Sequence, residues 1–163
     1  MTEAARVLVA GIGNVFRSDD GFGPEVARRL AEQPWPEGVR VTDYGIRGLH
    51  LAYDLLDPWD ALVLVDALPD GGEVGAVAVL DIGPDDVGAG KAVDAHGMDP
   101  ATVLASLAAL GGSLPARTVV VGCQVAETGD GMGLTAPVEA AVAPAVAMVR
   151  SLVCSGLRPT EVG

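Results

Sequence analysis

The chain has 163 residues, of which 50% are hydrophobic and only 4% aromatic. This length is sufficient for one domain with its own core and short for two, so we predict a single domain over 1–163, with its core at about 7–153. Its 22 acidic and 10 basic side chains give a net charge of −12, which argues against nucleic acid or an anionic membrane surface as a partner.

The first segments predict a strand, a glycine turn and a helix. Val7–Gly13 is a short apolar run that ends in glycine, a pattern typical of a strand buried on both faces, and we expect it to be the central strand. A polar turn covers residues 14–20, and Pro24–Gln33 follows as a helix that Pro34 ends. The order is that of the start of a βαβ unit.

The next segments repeat this alternation. Val39–Asp43 predicts a second strand, Leu49–Leu56 a helix, and Ala61–Val65 a third strand. Ala76–Asp81 follows closely enough to pair with the third strand in the antiparallel direction. Pro84–Asp94 is rich in Gly and Asp and lacks periodicity, which predicts a surface loop.

The last third of the chain completes an α/β pattern. An acid and a proline introduce a helix over Ala101–Leu110, and Thr118–Cys123 predicts a fifth strand. A final helix covers about 135–153, where we expect Pro144 to bend or interrupt it. We therefore predict a doubly wound, mostly parallel sheet of five strands with one antiparallel strand near an edge, and ligands beyond the carboxyl ends of the parallel strands.

Ligand-type side chains are expected to meet at that rim. Asp20 lies in the turn after the first strand, Asp43 ends the second strand, and Asp66 ends the third. His96 lies in the loop before the third helix and can reach the same rim. Taken singly, Asp20 has an alternative explanation as a helix cap, and Asp66 is better explained as a cap or acceptor for backbone amides of the following turn. Taken together, Asp20, Asp66 and His96 make a borderline-hard ligand set with open positions, which suits Ni²⁺, Zn²⁺ or Fe²⁺.

Other site classes fit the sequence less well. The GxGxxG dinucleotide fingerprint would need a glycine where Phe16 stands, and two acids in the following turn would repel a pyrophosphate, so we expect no nucleotide. No GxSxG elbow and no HExxH zinc motif occurs.

Several neighbouring residues are interpreted as structural. Asp19 is expected to hold the fold together, and His50 to be a surface or packing residue. Cys123 and Cys154 are expected to be free thiols that are buried or partly buried. The N-terminal stretch before Val7 is short and polar rather than a signal peptide, from which we expect a cytoplasmic protein.

Five short elements follow one another in a specific order and spacing. They are Gly11-Ile-Gly-Asn14, Ser18-Asp-Asp-Gly21, Asp43-Tyr-Gly45 with Gly48, Val65-Asp66-Ala67, and His96. Together they resemble the hydrogenase maturation endopeptidases, which process the large subunit of [NiFe] hydrogenases. The resemblance extends from about Val7 to Val149.

The resemblance implies a five-stranded twisted sheet between helices, a three-layer αβα sandwich, and an aspartyl-type endopeptidase. Such an enzyme cuts near the C-terminus of the hydrogenase precursor once nickel has been inserted, so the nickel arrives with the substrate. By position, the family's metal ligands fall on Asp20, Asp66 and His96. Asp43 takes a role in substrate placement or cleavage, which makes all four residues candidates for the catalytic site.

Two departures from the family pattern stand out. The first-turn ligand is often Glu in the family, and Asp20 is one methylene shorter. Ile46 stands where many members carry a small hydroxyl residue, and Arg47 is added next to it, which leaves open which hydrogenase is served. A non-proteolytic nickel carrier or assembly chaperone remains the alternative, although such a protein would not need Asp43.

Overall fold

The computed structural model describes residues 5–68, 72–82, 100–126, 129 and 131–155. Within them a short 3-10 turn and nine longer elements follow one another in an α/β order. In sequence they are β1 (Val7–Ile12), the 3-10 turn (Ser18–Gly21), α1 (Phe22–Ala31), β2 (Val39–Gly45), α2 (Gly48–Asp54), β3 (Ala61–Leu68), β4 (Val77–Asp81), α3 (Pro100–Ala109), β5 (Arg117–Gln124) and α4 (Ala136–Cys154).

The strands form one sheet in the order β2-β1-β3-β5-β4. The first four are parallel and β4 runs antiparallel to β5, which confirms the predicted sheet with its antiparallel strand at an edge. Two expectations were wrong. The central strand is β3 rather than β1, and β4 pairs with β5 rather than with β3, because both sides of β3 are occupied by β1 and β5.

Two apolar clusters, one on each face of the sheet, make the fold a three-layer sandwich. Alternate residues of each buried strand point to opposite faces. Val9 and Val63 therefore join the cluster covered by α1 and α4, whereas Leu8 and Leu62 join the cluster covered by α2 and α3. The carboxyl ends of four parallel strands consequently share one edge between the helical layers.

Helix α4 differs from its sequence-based description. It continues without interruption past Pro144, and by length and composition alone it is apolar enough to cross a membrane. One face of the helix, including Val142, Ala145 and Val149, is buried in the core. Packing against the sheet therefore accounts for the apolar residues of that face.

Three element boundaries change the setting of the site. Helix α1 begins at Phe22 rather than Pro24, β2 continues to Gly45, and β3 continues past Asp66 to Leu68. Neither Asp43 nor Asp66 therefore ends its strand. The loop predicted at residues 84–94 lies outside the described residues.

Candidate functional site

Strand register brings Asp43 and Asp66 to the same end of the sheet but to opposite faces. Gly11 pairs with Asp43 on one side and with Val65 on the other, so Asp43 and Val65 share the face covered by α1 and α4. Asp66 is the next residue on β3 and points to the face covered by α2 and α3. Immediately after Asp43, β2 contains a bulge: Ile12 pairs with Gly45, and Tyr44 is left as an extra residue without a partner on β1. Such a bulge changes the direction of the strand.

The turn after β1 holds Asp20 in place from within. Its carboxylate Oδ2 accepts the backbone N–H of Asn14 at 2.8 Å, and its side chain is half-buried. Gly13 has a φ of 145°, and a Cβ there would collide with the carbonyl oxygen of Asp20. Only glycine allows the turn to close in this way.

The neighbouring Asp19 has a structural role, as predicted. It is buried, and its Oδ1 accepts the backbone N–H of Thr135 at 2.7 Å while its Oδ2 accepts the Thr135 hydroxyl at 2.8 Å. Thr135 is the residue that precedes helix α4. Asp19 therefore ties the first turn to the start of the last helix.

Asp66 is a buried carboxylate, with only 4% of its surface exposed. Its Oδ1 accepts the backbone N–H of the next residue, Ala67, at 2.8 Å. Burying a carboxylate is costly unless hydrogen bonds or a cation compensate. Asp66 lies on the buried central strand, two residues before the strand ends at Leu68. It is therefore near the end of the sheet where parallel α/β proteins bind ligands.

Asp43 lies at the outer edge of the site. Its side chain is open to solvent, yet the adjoining chain shields part of the carboxylate, and this desolvation raises its pKa despite the opposing effects of the Gly45 N–H and Arg47. The Arg47 guanidinium donates to the backbone carbonyls of Asp43 at 2.9 Å and Tyr44 at 3.1 Å. Arg47 thus fastens the end of β2.

A groove of about 380 Å³ extends from Asp43 along helix α1. Pro24 and Glu25 of α1 line one wall, and Met132 and Leu134 line the other. We call this feature the α1 groove. The sequence reasoning missed it, although an apolar Met-Gly-Leu stretch outside any predicted strand or helix was a signal that could have drawn attention to residues 131–134.

The two histidines differ in what the structure describes of them. His96 lies outside the described residues, and among those described no group of three or more His, Cys, Asp or Glu side chains is arranged to hold a metal ion. His50 is on the surface, as predicted, and its Nε2 lies 3.8 Å from Oδ2 of Asp54.

The cysteines are both free thiols, but only one is buried. Cys154, the last residue of α4, is exposed although its neighbour Val153 is buried, because its side chain leaves the helix on a different side, and the expectation of at least partial burial was wrong for it. Burial and the nearby Asp19 raise the pKa of Cys123 to about 11. Cys123 is therefore protonated at neutral pH and unsuited to act as a nucleophile.

Comparison with known proteins points to hydrogenase maturation. Residues 24–152 match the family model HycI, hydrogenase maturation protease. The chain is 36% identical over 154 residues to the hydrogenase expression/formation protein HupD of Rhodobacter capsulatus, covering 90% of this chain and 72% of that protein. It is 31% identical over 153 residues to the coenzyme F420 hydrogenase subunit delta of Methanothermobacter thermautotrophicus, covering 89% and 92%.

Solved structures agree with these sequence matches. The hydrogenase maturating endopeptidase HybD from E. coli superposes with a TM-score of 0.77 at 29% identity, over 93% of this chain and 94% of that chain. The [NiFe] hydrogenase maturation protease HycI from Thermococcus kodakarensis superposes with a TM-score of 0.69 at 27% identity, over 91% and 92%.

Proposed function

This chain belongs to the hydrogenase maturation protease family, and we propose that it removes the C-terminal extension of a [NiFe] hydrogenase large-subunit precursor after nickel insertion. Membership makes the protein a protease, and a hydrogenase precursor is the corresponding substrate. The dependence on nickel and the residue roles below are our proposal. We place the reaction in the cytoplasm, with neither nucleic acid nor a membrane as partner.

The observation that carries the proposal is the buried Asp66 carboxylate near the carboxyl end of β3, with Asp20 fixed in the turn that follows the adjacent strand β1. In parallel α/β sheets this end is where ligands bind. Two carboxylates and the imidazole of His96 suit Ni²⁺. Nickel enters as part of the substrate, held by precursor side chains, and Asp20, Asp66 and His96 fill its vacant positions.

Nickel would then act as a checkpoint for processing. A precursor without nickel would lose these metal–ligand bonds, whose combined free energy is on the order of several kcal/mol by analogy with structural metal sites. A loss of this size lowers affinity by several powers of ten. The enzyme would therefore leave an unfinished precursor uncut.

Asp43 is the proposed base of the cleavage step. Its carboxylate takes a proton from a water molecule as the water oxygen attacks the carbonyl carbon of the scissile peptide bond. The C–N bond then breaks, and the leaving nitrogen receives the proton from Asp43. A raised pKa suits the first of these steps, because a more basic carboxylate takes a proton from water more readily.

The test is processing of purified precursor, with and without nickel, followed by intact-mass spectrometry. We expect a C-terminal mass loss only with the nickel-loaded form. Cleavage of both forms would remove nickel recognition from the proposal and leave the protease. No cleavage of any nickel-loaded large subunit of the host would favour the carrier or chaperone.

Substitution tests the residue roles. Asp20→Ala, Asp66→Ala and His96→Ala should each abolish processing while circular dichroism remains that of the wild type. His50→Ala is the matched histidine control and Asp57→Ala the matched exposed aspartate, and both should process normally. Full activity in all three site variants, each properly folded, would refute the assignment.

A further inference from the structure

We propose that the α1 groove holds the C-terminal extension of the precursor as an extended peptide with apolar side chains and at least one basic side chain. This inference rests on the proposed function, since it names where that substrate lies. Four properties of the groove support it: its position, its rigidity, its exposed apolar residues and its charge.

The groove adjoins the proposed cleavage residue. Asp43 lines it, and so does Gly21, which directly follows Asp20. An endopeptidase must hold the chain next to the scissile bond to keep the reacting carbonyl in place. A peptide leaving Asp43 along helix α1 would meet Pro24 and then Arg28.

The outer wall of the groove is formed before any substrate binds. The Gly131 N–H donates to the Phe16 carbonyl at 2.9 Å, and the Ser18 N–H donates to the Gly131 carbonyl at 2.7 Å. The Ser18 hydroxyl also donates to the Gly133 carbonyl at 3.2 Å. Residues 131–134 are thereby attached to the turn that carries Asp20, so little conformational entropy is lost in ordering this wall on binding.

The wall presents apolar side chains to solvent. Met132 is 75% exposed and Val15 is 39% exposed, and both line the groove. Phe16, next to Val15, is 65% exposed. Exposed apolar residues are ordinary when scattered, but a group of them beside a groove indicates a binding surface. A peptide that covered Met132 and Val15 would remove apolar area from water on binding.

Charge selects the kind of peptide. Three carboxylates line the groove, those of Glu25, Asp43 and Glu139, against the single guanidinium of Arg28. Arg29 lies behind them and bridges Glu25 and Glu139 at 2.9 Å each. Glu25 also pairs with Arg28 at 2.6 Å, so the three carboxylates and the two guanidinium groups leave one net negative charge at the groove, in a protein whose net charge is −12. A basic side chain in the peptide fits this lining, and an acidic one would be repelled.

Two methionines provide a matched test. Met132→Glu places a carboxylate in the apolar wall, where an apolar side chain of the bound peptide would bury it, and we expect this desolvation cost to exceed any attraction to a basic side chain elsewhere in the peptide. Met148→Glu places the same charge on an exposed part of α4, at a position that does not line the groove. With nickel-loaded precursor we expect Met132→Glu to raise KM at least about tenfold, equivalent to roughly 1.4 kcal/mol, with kcat within about twofold of wild type. Met148→Glu should match the wild type in both constants.

A synthetic peptide of the extension tests the groove without the nickel site. Fluorescence anisotropy should show binding to the wild type and to Met148→Glu and weaker binding to Met132→Glu. Replacing the basic residues of the peptide by Gln should weaken binding further. An unchanged KM for Met132→Glu, with wild-type cleavage intact, would overturn the groove while leaving the protease function standing. Failure of the wild type to cleave any nickel-loaded precursor would instead overturn the proposed function.

Discussion

The two turns at the carboxyl end of the sheet are built differently. The turn over residues 13–21 is bonded to distant parts of the chain, through Asp19 to Thr135 and through Ser18 to Gly131. The turn over residues 45–48 is held mainly by Arg47, which reaches back to its own strand. The first turn is thus fixed by bonds to distant parts of the chain, whereas the second is held by Arg47 and by the Gly13 N–H, which donates to the Gly45 carbonyl at 3.0 Å.

The largest effect should come from the close contact between the start of helix α1, which directly follows the first turn, and the strands of the sheet. A Cβ at Gly23 would collide with the backbone carbonyl oxygens of Ile12 and Val65, which no side-chain movement can relieve. We expect Gly23→Ala to reduce the free energy of unfolding by about 3 kcal/mol, at the upper end of overpacking effects. Urea titration measures this loss.

The control for that change is Gly129→Ala. A Cβ at Gly129 meets nothing within 4 Å, so the unfolding midpoint should remain at the wild-type value. A Gly23→Ala protein as stable as Gly129→Ala would show that helix α1 can move away from the strands, and the first turn would then not be rigid.

The next effect separates the two adjacent aspartates. Asp19→Ala removes both acceptors of Thr135 in a buried setting and should cost about 2–3 kcal/mol of unfolding free energy. Asp20→Ala removes one bond to a half-buried N–H and should cost about 1 kcal/mol or less. Thermal or urea unfolding of the two variants decides between structural and ligand roles. Equal losses would contradict the distinction between them.

The smallest effect should come from the second turn. Arg47 lowers the pKa of Asp43 against the larger effect of burial, so Arg47→Ala should raise that pKa further. If processing needs the ionised carboxylate, the acidic limb of the pH–rate profile moves to higher pH. At mildly acidic pH the rate should fall roughly threefold, the effect of an exposed interaction worth under about 1 kcal/mol.

Arg40→Ala is the control for this prediction. Arg40 lies on β2, the strand that carries Asp43, but it pairs with Asp54, 3.4 Å away. Its removal should leave the pH profile unchanged. An identical profile for Arg47→Ala would mean that the charge of Arg47 does not reach Asp43.

Much of the fold followed from local patterns. Apolar runs and glycine turns located all five strands to within a few residues. The signal was clearest for β1, β3 and β5, because a strand buried on both faces needs continuous apolar side chains. The partner of β4 did not follow. Residues 69–76 separate it from β3, and nothing in this connection states whether the strand folds back or crosses to β5. Strand order depends on contacts distant in sequence, which is also why β1 was misplaced at the centre.

The position of the candidate aspartates along the sheet was predictable, and the direction of their side chains was less so. That Asp20, Asp43 and Asp66 would gather at one edge followed from the rule for parallel sheets. That Asp43 faces one helical layer and Asp66 the other did not follow, because the predicted strands stopped too early to give their register. The α1 groove was not predicted either, because its outer wall depends on hydrogen bonds between residues 16–18 and residues 131–133, which are far apart in sequence.

The bond between Asp19 and Thr135 also bears on how the protein is made. The two residues are 116 positions apart. The first turn therefore lacks this attachment until the ribosome has synthesised the chain as far as Thr135. A nascent or truncated chain that lacks Thr135 and α4 would possess every proposed ligand, but it would lack the two hydrogen bonds from Thr135 to Asp19 that attach the first turn to the last helix. The first turn therefore gains this attachment to the rest of the fold only after the last helix has been synthesised.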